Sequence, residues 1–444
     1  MSQPNIVLRK QLNADALFTT IRAAFEKIPD HRPGDVTISL ADALMSGFAM
    51  FSLKDPSLLA FDQRRKDETT LNNLKHIYHI DTVPCDTQMR EMLDEVAPDE
   101  LSRAYTTIFA QAQRGKVLEK MVFLDGYYLM SVDGTEYFSS KKIHCSSCLE
   151  KKNSKTGEVT YSHQMVGAAI VHPDCQEVIP VFPEPIERQD GEKKNDCERN
   201  AGKRFLEQFR TAHPHLPVII TEDGLSSNGP HIRELKKHHF HFILGAKPGD
   251  HAFLFQQVDL AAQQGTVTEY HMKRQHVTHR FRFLNQVPLN KSNQDLLVNF
   301  LEYWEIQDDG TTQHFSWVTD IAITCENAFQ LMRGGRARWK VENETFNTLK
   351  NQGYHFEHNY GHGKTHLAVI FAMLMMLAFL VDQVVQAACP LFRAVWQKEG
   401  CKIRVWEHMR ALFYSIPLTS MAQLFQALLY GYHIEGLVIL HDSS

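Results

Sequence analysis

The sequence predicts an α/β protein with a mixed central sheet and helical regions on both sides. Two observations support this fold class. Residues 129–132 form a short, mostly apolar strand and residues 218–220 a continuous apolar run, both typical of buried strands. Between them and after them, strand-like runs alternate with stretches whose apolar residues recur at helical spacing. The stretches before residue 120 and after residue 366 show helical spacing throughout.

Changes in pattern along the chain divide it into three predicted regions. The first is a helical region, residues 1–120. The second, residues 121–365, is the α/β region, and it contains a β-rich insertion at about residues 247–323. The third is a second helical region, residues 366–444.

Composition and charge limit the class of protein. The chain has 444 residues, 43% of them hydrophobic and 22% charged, which is typical of a globular protein. The net charge of −5 argues weakly against a nucleic-acid partner, but phosphate binding depends on where Lys and Arg lie rather than on their total. The sequence therefore leaves nucleic-acid binding open.

The apolar segments predict a cytoplasmic protein without a membrane span. The first ten residues are polar and do not resemble a secretory signal. The longest apolar run, residues 367–381, is shorter than the ~20 residues of a membrane-spanning helix, so we expect a buried helix there. Eight cysteines in such a chain are expected to be reduced thiols.

Two aspartates follow apolar strands and are candidate metal ligands. Asp133 and Asp223 each come directly before a glycine. Ligands bind at the carboxyl ends of strands in open α/β sheets, and carboxylates are preferred ligands of hard divalent cations. The other interpretation is that each Asp-Gly pair is only a turn.

A third carboxylate is predicted from helical geometry in residues 338–350. At about 100° per residue, Glu342 lies in the middle of an apolar stripe that faces the sheet, whereas Glu344 points to solvent. The stripe comprises Trp339, Glu342, Phe346 and Leu349. A carboxylate on a buried face is costly unless it is paired or bound to metal. An ion pair with Arg338 is the alternative.

Together the three carboxylates form a predicted site for two Mg²⁺ or Mn²⁺ ions. Two cations about 4 Å apart can activate a nucleophile on one side and stabilise a leaving oxygen on the other. Phosphoryl transfer depends on this kind of positioning and charge neutralisation. The pattern therefore favours an enzyme that acts on phosphodiesters.

Three segments resemble a known family. Residues 131–140 (Ser-Val-Asp-Gly-Thr-Glu-Tyr-Phe-Ser-Ser), 222–225 (Glu-Asp-Gly-Leu) and 338–342 (Arg-Trp-Lys-Val-Glu) resemble bacterial insertion-sequence transposases with an RNase H-like catalytic domain. The resemblance is to the branch with a β-rich insertion before the catalytic glutamate, and it covers roughly residues 120–365.

The resemblance implies a DDE transposase that cleaves DNA at transposon ends and transfers the strand into target DNA. Asp133, Asp223 and Glu342 would be its catalytic metal ligands. It implies double-stranded DNA as partner, a homodimer in the DNA complex, and DNA-end binding by the N-terminal helices. A nuclease of the same fold without strand transfer, and a non-enzymatic DNA-binding protein derived from a mobile element, are the alternatives.

The family's Tyr-Arg-Glu-Lys signature supplies the predicted DNA contacts. Arg338 and Lys350 would match its basic residues, and further candidates lie in the same segment: Arg336, Trp339 and Lys340. Trp339 could stack on an extruded base, although helical spacing favours a core position. Two departures are evident. Gly335 occupies the place of the tyrosine, and Lys350 lies one residue further from Glu342 than in the signature, which keeps Glu344 as a second candidate.

A loop rich in cysteine and lysine follows the first aspartate. Cys145 and Cys148 are the centre of a possible zinc site, because Cys and His are the usual zinc ligands. Other histidines and cysteines could complete it: His144, His163, His172 and Cys175. The other interpretation is a solvated loop with reduced thiols. Its lysines could contact phosphates or be solvated; they are Lys141, Lys142, Lys151, Lys152 and Lys155.

Overall fold

The computed structural model describes residues 9–34, 36–187 and 197–432. The chain divides into two compact units. An α/β unit comprises Lys116–Leu349, and a helical unit comprises the chain up to Gly115 and from Lys350 onward. The two helical regions that the sequence predicts at the two ends of the chain thus belong to one unit.

The N-terminal part of the helical unit contains α1 (Ala14–Phe25), α2 (Leu40–Ser52), α3 (Leu58–Arg64), α4 (Glu68–Tyr78), α5 (Asp86–Asp94) and α6 (Ser102–Arg114). Polar residues cap several of these helices. The side chain of Ser39 accepts a hydrogen bond from the Asp42 N–H at the start of α2, which satisfies one of the amide groups that a helix leaves unbonded.

The α/β unit is built on one mixed sheet. Its strands are β1 (Val122–Leu124), β2 (Tyr127–Ser140), β3 (Leu149–Lys152), β4 (Val159–Val171), β5 (Ile179–Pro180), β6 (Glu184–Ile186), β7 (Val218–Glu222), β8 (His241–Gly245), β9 (Thr268–Arg274), β10 (Val277–Asn290), β11 (Asn293–Gln307) and β12 (Thr312–Thr319). The strand order is β3-β4-β2-β7-β8-β12-β11-β10-β9, with β1 beside β2 and with β5 and β6 beside β4. The mixed α/β class predicted from the sequence is confirmed.

The direction of the strands changes across the sheet. Strands β2, β7 and β8 are parallel neighbours, whereas β4 and β12, on the two sides of this group, are antiparallel to their partners. Both parallel connections contain helices: α7 (Glu198–Ala212) comes before β7, and α8 (Gly229–Lys237) comes before β8. Parallel strands need such crossovers, because a tight turn cannot join them.

The predicted insertion extends the same sheet. Strands β9 to β12 pair with one another as antiparallel neighbours, and β12 joins them to β8. The insertion begins with a helix, α9 (Ala252–Gln263), which the sequence analysis did not predict. This helix buries Leu254 and Val258 and packs on β10.

A helical segment follows the insertion. Helix α10 (Ala328–Arg336) is followed by a π turn (Val341–Phe346) and by α11 (Asn347–Asn351). The helix predicted over residues 338–350 is therefore interrupted. Helix α10 ends at Arg336, a turn follows at residues 337–338, and the π turn contains Glu342.

The C-terminal part of the helical unit contains α12 (Leu367–Ala388), α13 (Pro390–Glu399), α14 (Lys402–Phe413) and α15 (Met421–Tyr430). In the part of the chain that the structure describes, α12 is long and apolar enough to cross a membrane, but 89% of its most apolar window is buried. It packs on α2 and α5 within its unit, as expected for a core helix.

Candidate active site

The register of two parallel strands brings Asp133 next to Asp223. Strand β2 pairs with β7 so that Ser131 lies opposite Thr221. Two residues further along, Asp133 and Asp223 occupy neighbouring positions, and adjacent strands lie about 4.8 Å apart. Side chains alternate between the faces of a strand, so Asp133 shares a face with Ser131.

The prediction that both aspartates follow the end of a strand is wrong for Asp133. Strand β2 continues to Ser140, because β4 pairs with it as far as that residue, so Asp133 lies within the strand. Only Asp223 comes directly after the end of its strand, where its side chain accepts a hydrogen bond from the Leu225 N–H at 2.9 Å. The site forms where β7 ends and β2 continues.

A hydrogen bond fixes the third segment on the same face of the sheet. The Ser131 hydroxyl donates to the carbonyl oxygen of Arg338 at 2.6 Å. The π turn that follows packs on β2 and β4 and carries Glu342. Turns of this type, with hydrogen bonds between residues i and i+5, occur often at functional sites.

The charges of the three carboxylates interact. Burial raises the pKa of Asp133; the Arg338 guanidinium and the Gly134 N–H oppose this rise, and the charges of Asp223 and Glu342 add to it. Like charges disfavour one another's ionised form only when they lie close together. The rise in the pKa of Asp133 thus indicates that the charges of Asp223 and Glu342 lie near its carboxyl group.

Arg338 pairs with Asp133. Its Nη1 lies 3.3 Å from Oδ2 of Asp133, and its guanidinium lies over the Trp339 ring, 4.2 Å from the ring centre. Arg338 therefore pairs with Asp133 rather than with Glu342, the ion pair that the sequence left open.

The position of Trp339 differs from the predicted core position. Its side chain is 50% exposed, and both Glu342 and Glu344 are half-buried. The stripe was projected at about 100° per residue, which applies only to a regular α-helix. The break after Arg336 and the π turn change that rotation, so Trp339 faces outward.

The packing at Gly335 leaves no room for a side chain. A Cβ atom at this position would lie 2.3 Å from Nε1 of Trp317. Trp317, in β12, is 5% exposed and has little room to move. A tyrosine cannot occupy position 335 unless the insertion packs differently.

Sequence reasoning missed a fourth carboxylate, Glu198. It is the first residue of α7, and a Cβ atom at Gly134 would lie 2.7 Å from its carboxyl carbon. Burial of this carboxyl group raises the pKa of Glu198, and the nearby charges of Asp133, Asp223 and Glu222 raise it further. The glycine after Asp133 was the available signal, since glycine permits close approach.

The sequence predicts this helix over residues 196–212, with Asn195 or Asp196 as its cap. Asn195 and Asp196, the expected caps, fall outside the described residues. Cys197 occupies the N-cap position.

A cavity of about 240 Å³ opens beside Asp223. Acidic, basic and aromatic side chains line it, among them Glu222, Asp223, Lys247, Trp317, Arg338 and Trp339. The cavity combines one metal-ligand candidate, Asp223, with groups that can contact a polyanion.

The remaining predicted DNA contacts bond within the chain. Arg336 pairs with Glu305 and lies over the Phe315 ring. The Lys340 ammonium donates to the carbonyl of Cys175 at 2.7 Å. In the helical unit, Lys350 pairs with Glu357 at 2.9 Å. Of the five predicted residues, Arg338 contacts a candidate metal ligand, Asp133, and the cavity beside Asp223 is lined by Arg336, Arg338 and Trp339.

The cysteine loop brings together part of its predicted ligand set. Cys145, Cys148 and His163 contact one another. His144 does not join them, because its ring stacks on Tyr161 at 4.3 Å. Two further candidates lie after β4: His172 contacts the Phe123 ring, and the Cys175 thiol donates to the Lys120 carbonyl.

Comparisons with known proteins give little further information. No family model and no curated protein matches the chain. Among solved structures, the chain is similar to the cryo-EM structure of a piggyBac transposase synaptic complex with hairpin DNA, with a TM-score of 0.37 and 9% identity over 94% of this chain and 80% of that chain. The function proposed below therefore rests on the geometry of the site.

Proposed function

We propose that this protein is a DDE transposase, which cleaves DNA at transposon ends and joins the cut strand to target DNA. One observation carries the proposal. The register of β2 and β7 puts Asp133 beside Asp223, and the π turn that carries Glu342 packs on β2 and β4; this arrangement supports a shared site for three carboxylates that are distant in the sequence.

The topology supports an RNase H-like catalytic core. Antiparallel β4 and parallel β7 and β8 surround β2, and helices form the parallel crossovers. The insertion β9–β12 lies between Asp223 and Glu342, which is where the resembled branch carries its β-rich insertion.

The donor set fits a hard divalent cation. Mg²⁺ and Mn²⁺ prefer carboxylate oxygens, and partly buried acidic groups that repel one another are stabilised by a positive ion between them. Asp133, Asp223 and Glu342 would hold two such ions, with Glu198 beside them. When bound, the ions supply charge neutralisation and a more acidic water.

The chain's own residues would position the DNA. Arg338 pairs with Asp133 through one nitrogen, and its other donors can approach a phosphate next to the carboxylates. Exposed Trp339 offers a ring face beside the cavity. Because Arg338 packs over Trp339, a shift in one would move the other. A homodimer with one active site for each DNA end is part of this proposal.

Cleavage of the element's own ends tests the proposal. The full chain is incubated with a supercoiled plasmid that carries the DNA flanking its coding region, with and without Mg²⁺. We expect metal-dependent nicking that Asp133→Asn, Asp223→Asn and Glu342→Gln each abolish. Glu344→Gln is the matched control on the same turn and should keep activity.

Joining is measured separately with a pre-cut end that carries a free 3′-hydroxyl. Joined product distinguishes a transposase from a nuclease of the same fold. If the wild-type chain binds the ends but never cuts them in Mg²⁺ or Mn²⁺, the non-enzymatic alternative holds. Full cleavage by any of the three variants rejects the role assigned to that residue.

A further inference from the structure

A second cluster of metal-ligand side chains lies in the loop that follows the catalytic part of β2. Cys145, Cys148 and His163 belong to it, and all three lie within the α/β unit. Cys148 and His163 are each 1% exposed, and Cys145 is partly exposed. None of the three carries a role in the proposed transposition chemistry.

Strand pairing places the histidine opposite the second cysteine. Strands β3 and β4 are antiparallel, and Leu149 lies opposite Ser162. Cys148 comes one residue before Leu149, and His163 comes one residue after Ser162. In antiparallel strands these two positions lie directly opposite each other. The sheet itself, rather than a flexible loop, determines this approach.

A tight turn adds the first cysteine. The Cys148 N–H donates to the Cys145 carbonyl at 3.4 Å, and the Cys145 N–H donates to the Cys148 sulfur at the same distance. The second bond places an amide donor on a sulfur, which stabilises a thiolate. The turn thus orients both sulfurs toward His163.

The three ligand atoms have the spacing of a tetrahedral zinc site. The two sulfurs are 3.8 Å apart, and Nε2 of His163 lies 3.3 Å from the Cys145 sulfur and 3.4 Å from the Cys148 sulfur. Zn–S bonds of about 2.3 Å and Zn–N bonds of about 2.0 Å at tetrahedral angles require about 3.8 Å between sulfurs and about 3.5 Å between sulfur and nitrogen. A disulfide would need about 2.0 Å between the sulfurs.

We propose that Cys145, Cys148 and His163 bind a structural Zn²⁺ ion. Two thiolates and an imidazole are soft and borderline ligands that favour zinc over the hard cations of the carboxylate site. The ion connects the turn before β3, which carries the two cysteines, to His163 in β4. It thereby fixes a hairpin with exposed lysines, Lys151 and Lys152. A tetrahedral zinc ion takes one further ligand, water or another side chain.

Neighbouring residues that do not belong to the cluster provide matched controls. His144, next to Cys145, stacks on Tyr161 instead of approaching the sulfurs. Cys175 contacts the Lys120 carbonyl. His144→Gln and Cys175→Ser therefore remove a histidine and a thiol without removing a proposed ligand.

Metal content of the purified full chain, produced in zinc-supplemented medium, tests the proposal. We expect about one zinc per chain for the wild type and for both control variants. Cys145→Ser, Cys148→Ser and His163→Gln should each bind zinc at least about tenfold more weakly. Equal zinc in wild type and ligand variants, or equal loss in the controls, would overturn the assignment.

Cobalt substitution gives a second readout that does not require the variants to fold. After chelation, the wild-type chain titrated with Co²⁺ should show a thiolate-to-cobalt charge-transfer band and the strong visible bands of tetrahedral cobalt. Thiol titration of the zinc-loaded chain should find two protected cysteines that chelation exposes. A wild-type chain without zinc and without the cobalt spectrum, or one with a Cys145–Cys148 disulfide by mass, contradicts the proposal. Neither readout depends on DNA cleavage, so the zinc site and the transposase can fail independently.

Discussion

His213 should make the α/β unit less stable in acid. It follows α7, the helix that places Glu198 beside the carboxylates, and its ring contacts the Phe209 ring at 4.8 Å. Burial, with a smaller contribution from the Arg210 charge, lowers the pKa of His213 from 6.5 to about 4. The folded protein therefore holds this imidazole neutral in weak acid, where the unfolded chain protonates it.

The sign and size of the effect follow from this difference. Between about pH 6.5 and pH 4 the unfolded state binds more protons at this position, so stability falls as the pH falls through this window. The whole pKa difference corresponds to roughly 3 kcal/mol in the free energy of unfolding, and about 2 kcal/mol of this stability is lost between about pH 7 and pH 5. Above about pH 7 the imidazole contributes almost no pH dependence.

Replacing the imidazole should remove this dependence. The assay is urea unfolding of the full chain at about pH 7 and about pH 5, for the wild type and for His213→Gln. Between about pH 7 and about pH 5, we expect the free energy of unfolding of His213→Gln to fall by about 2 kcal/mol less than that of the wild type. His215→Gln, at an exposed position two residues away, is the control and should follow the wild type. Parallel pH profiles for wild type and His213→Gln would refute the reasoning.

Three further predictions concern packing and charge. Gly335→Ala should destabilise the protein by about 1–3 kcal/mol in urea unfolding, because its Cβ would collide with the Trp317 ring; an unchanged midpoint would show that Trp317 can move. Asp94→Ala should lower the free energy of unfolding by several kcal/mol, because the Asp94 carboxylate accepts hydrogen bonds from the four backbone N–H groups of residues 364–367, which lead into α12. A decrease below about 1 kcal/mol would contradict this. Glu198→Gln should change the metal concentration needed for DNA cleavage, whereas Glu207→Gln, further along α7, should not; identical metal titrations would exclude Glu198 from the metal site.

The parts of the fold that local pattern determines were predictable from the sequence. The strand Val218–Glu222 is buried on both faces and begins with the apolar run 218–220, so both the strand and Asp223 at its end were predictable. The direction of Glu342 was predicted by assuming a regular helix. The residue does reach the site, but through a π turn that no periodicity of the sequence reveals.

What the sequence could not show depends on partners far along the chain. The length of β2 is set by its pairing with β4, so apolar character alone suggested an end at Asp133. Glu198 is one acidic residue at the start of a helix, and only the packing of α7 brings its carboxyl group near Gly134. The union of the two helical regions in one unit likewise depends on contacts such as those between α2 and α12.

Two glycines allow neighbouring side chains to pack closely around the candidate site. Gly134 admits the carboxyl group of Glu198, and Gly335 admits the Trp317 ring between α10 and β12. A side chain at either position would press on the Glu198 carboxyl group or on the Trp317 ring, and metal ligands tolerate only small displacements from their ideal distances. The two glycines are therefore as necessary to the proposed active site as the acids, because they determine how closely the acids meet.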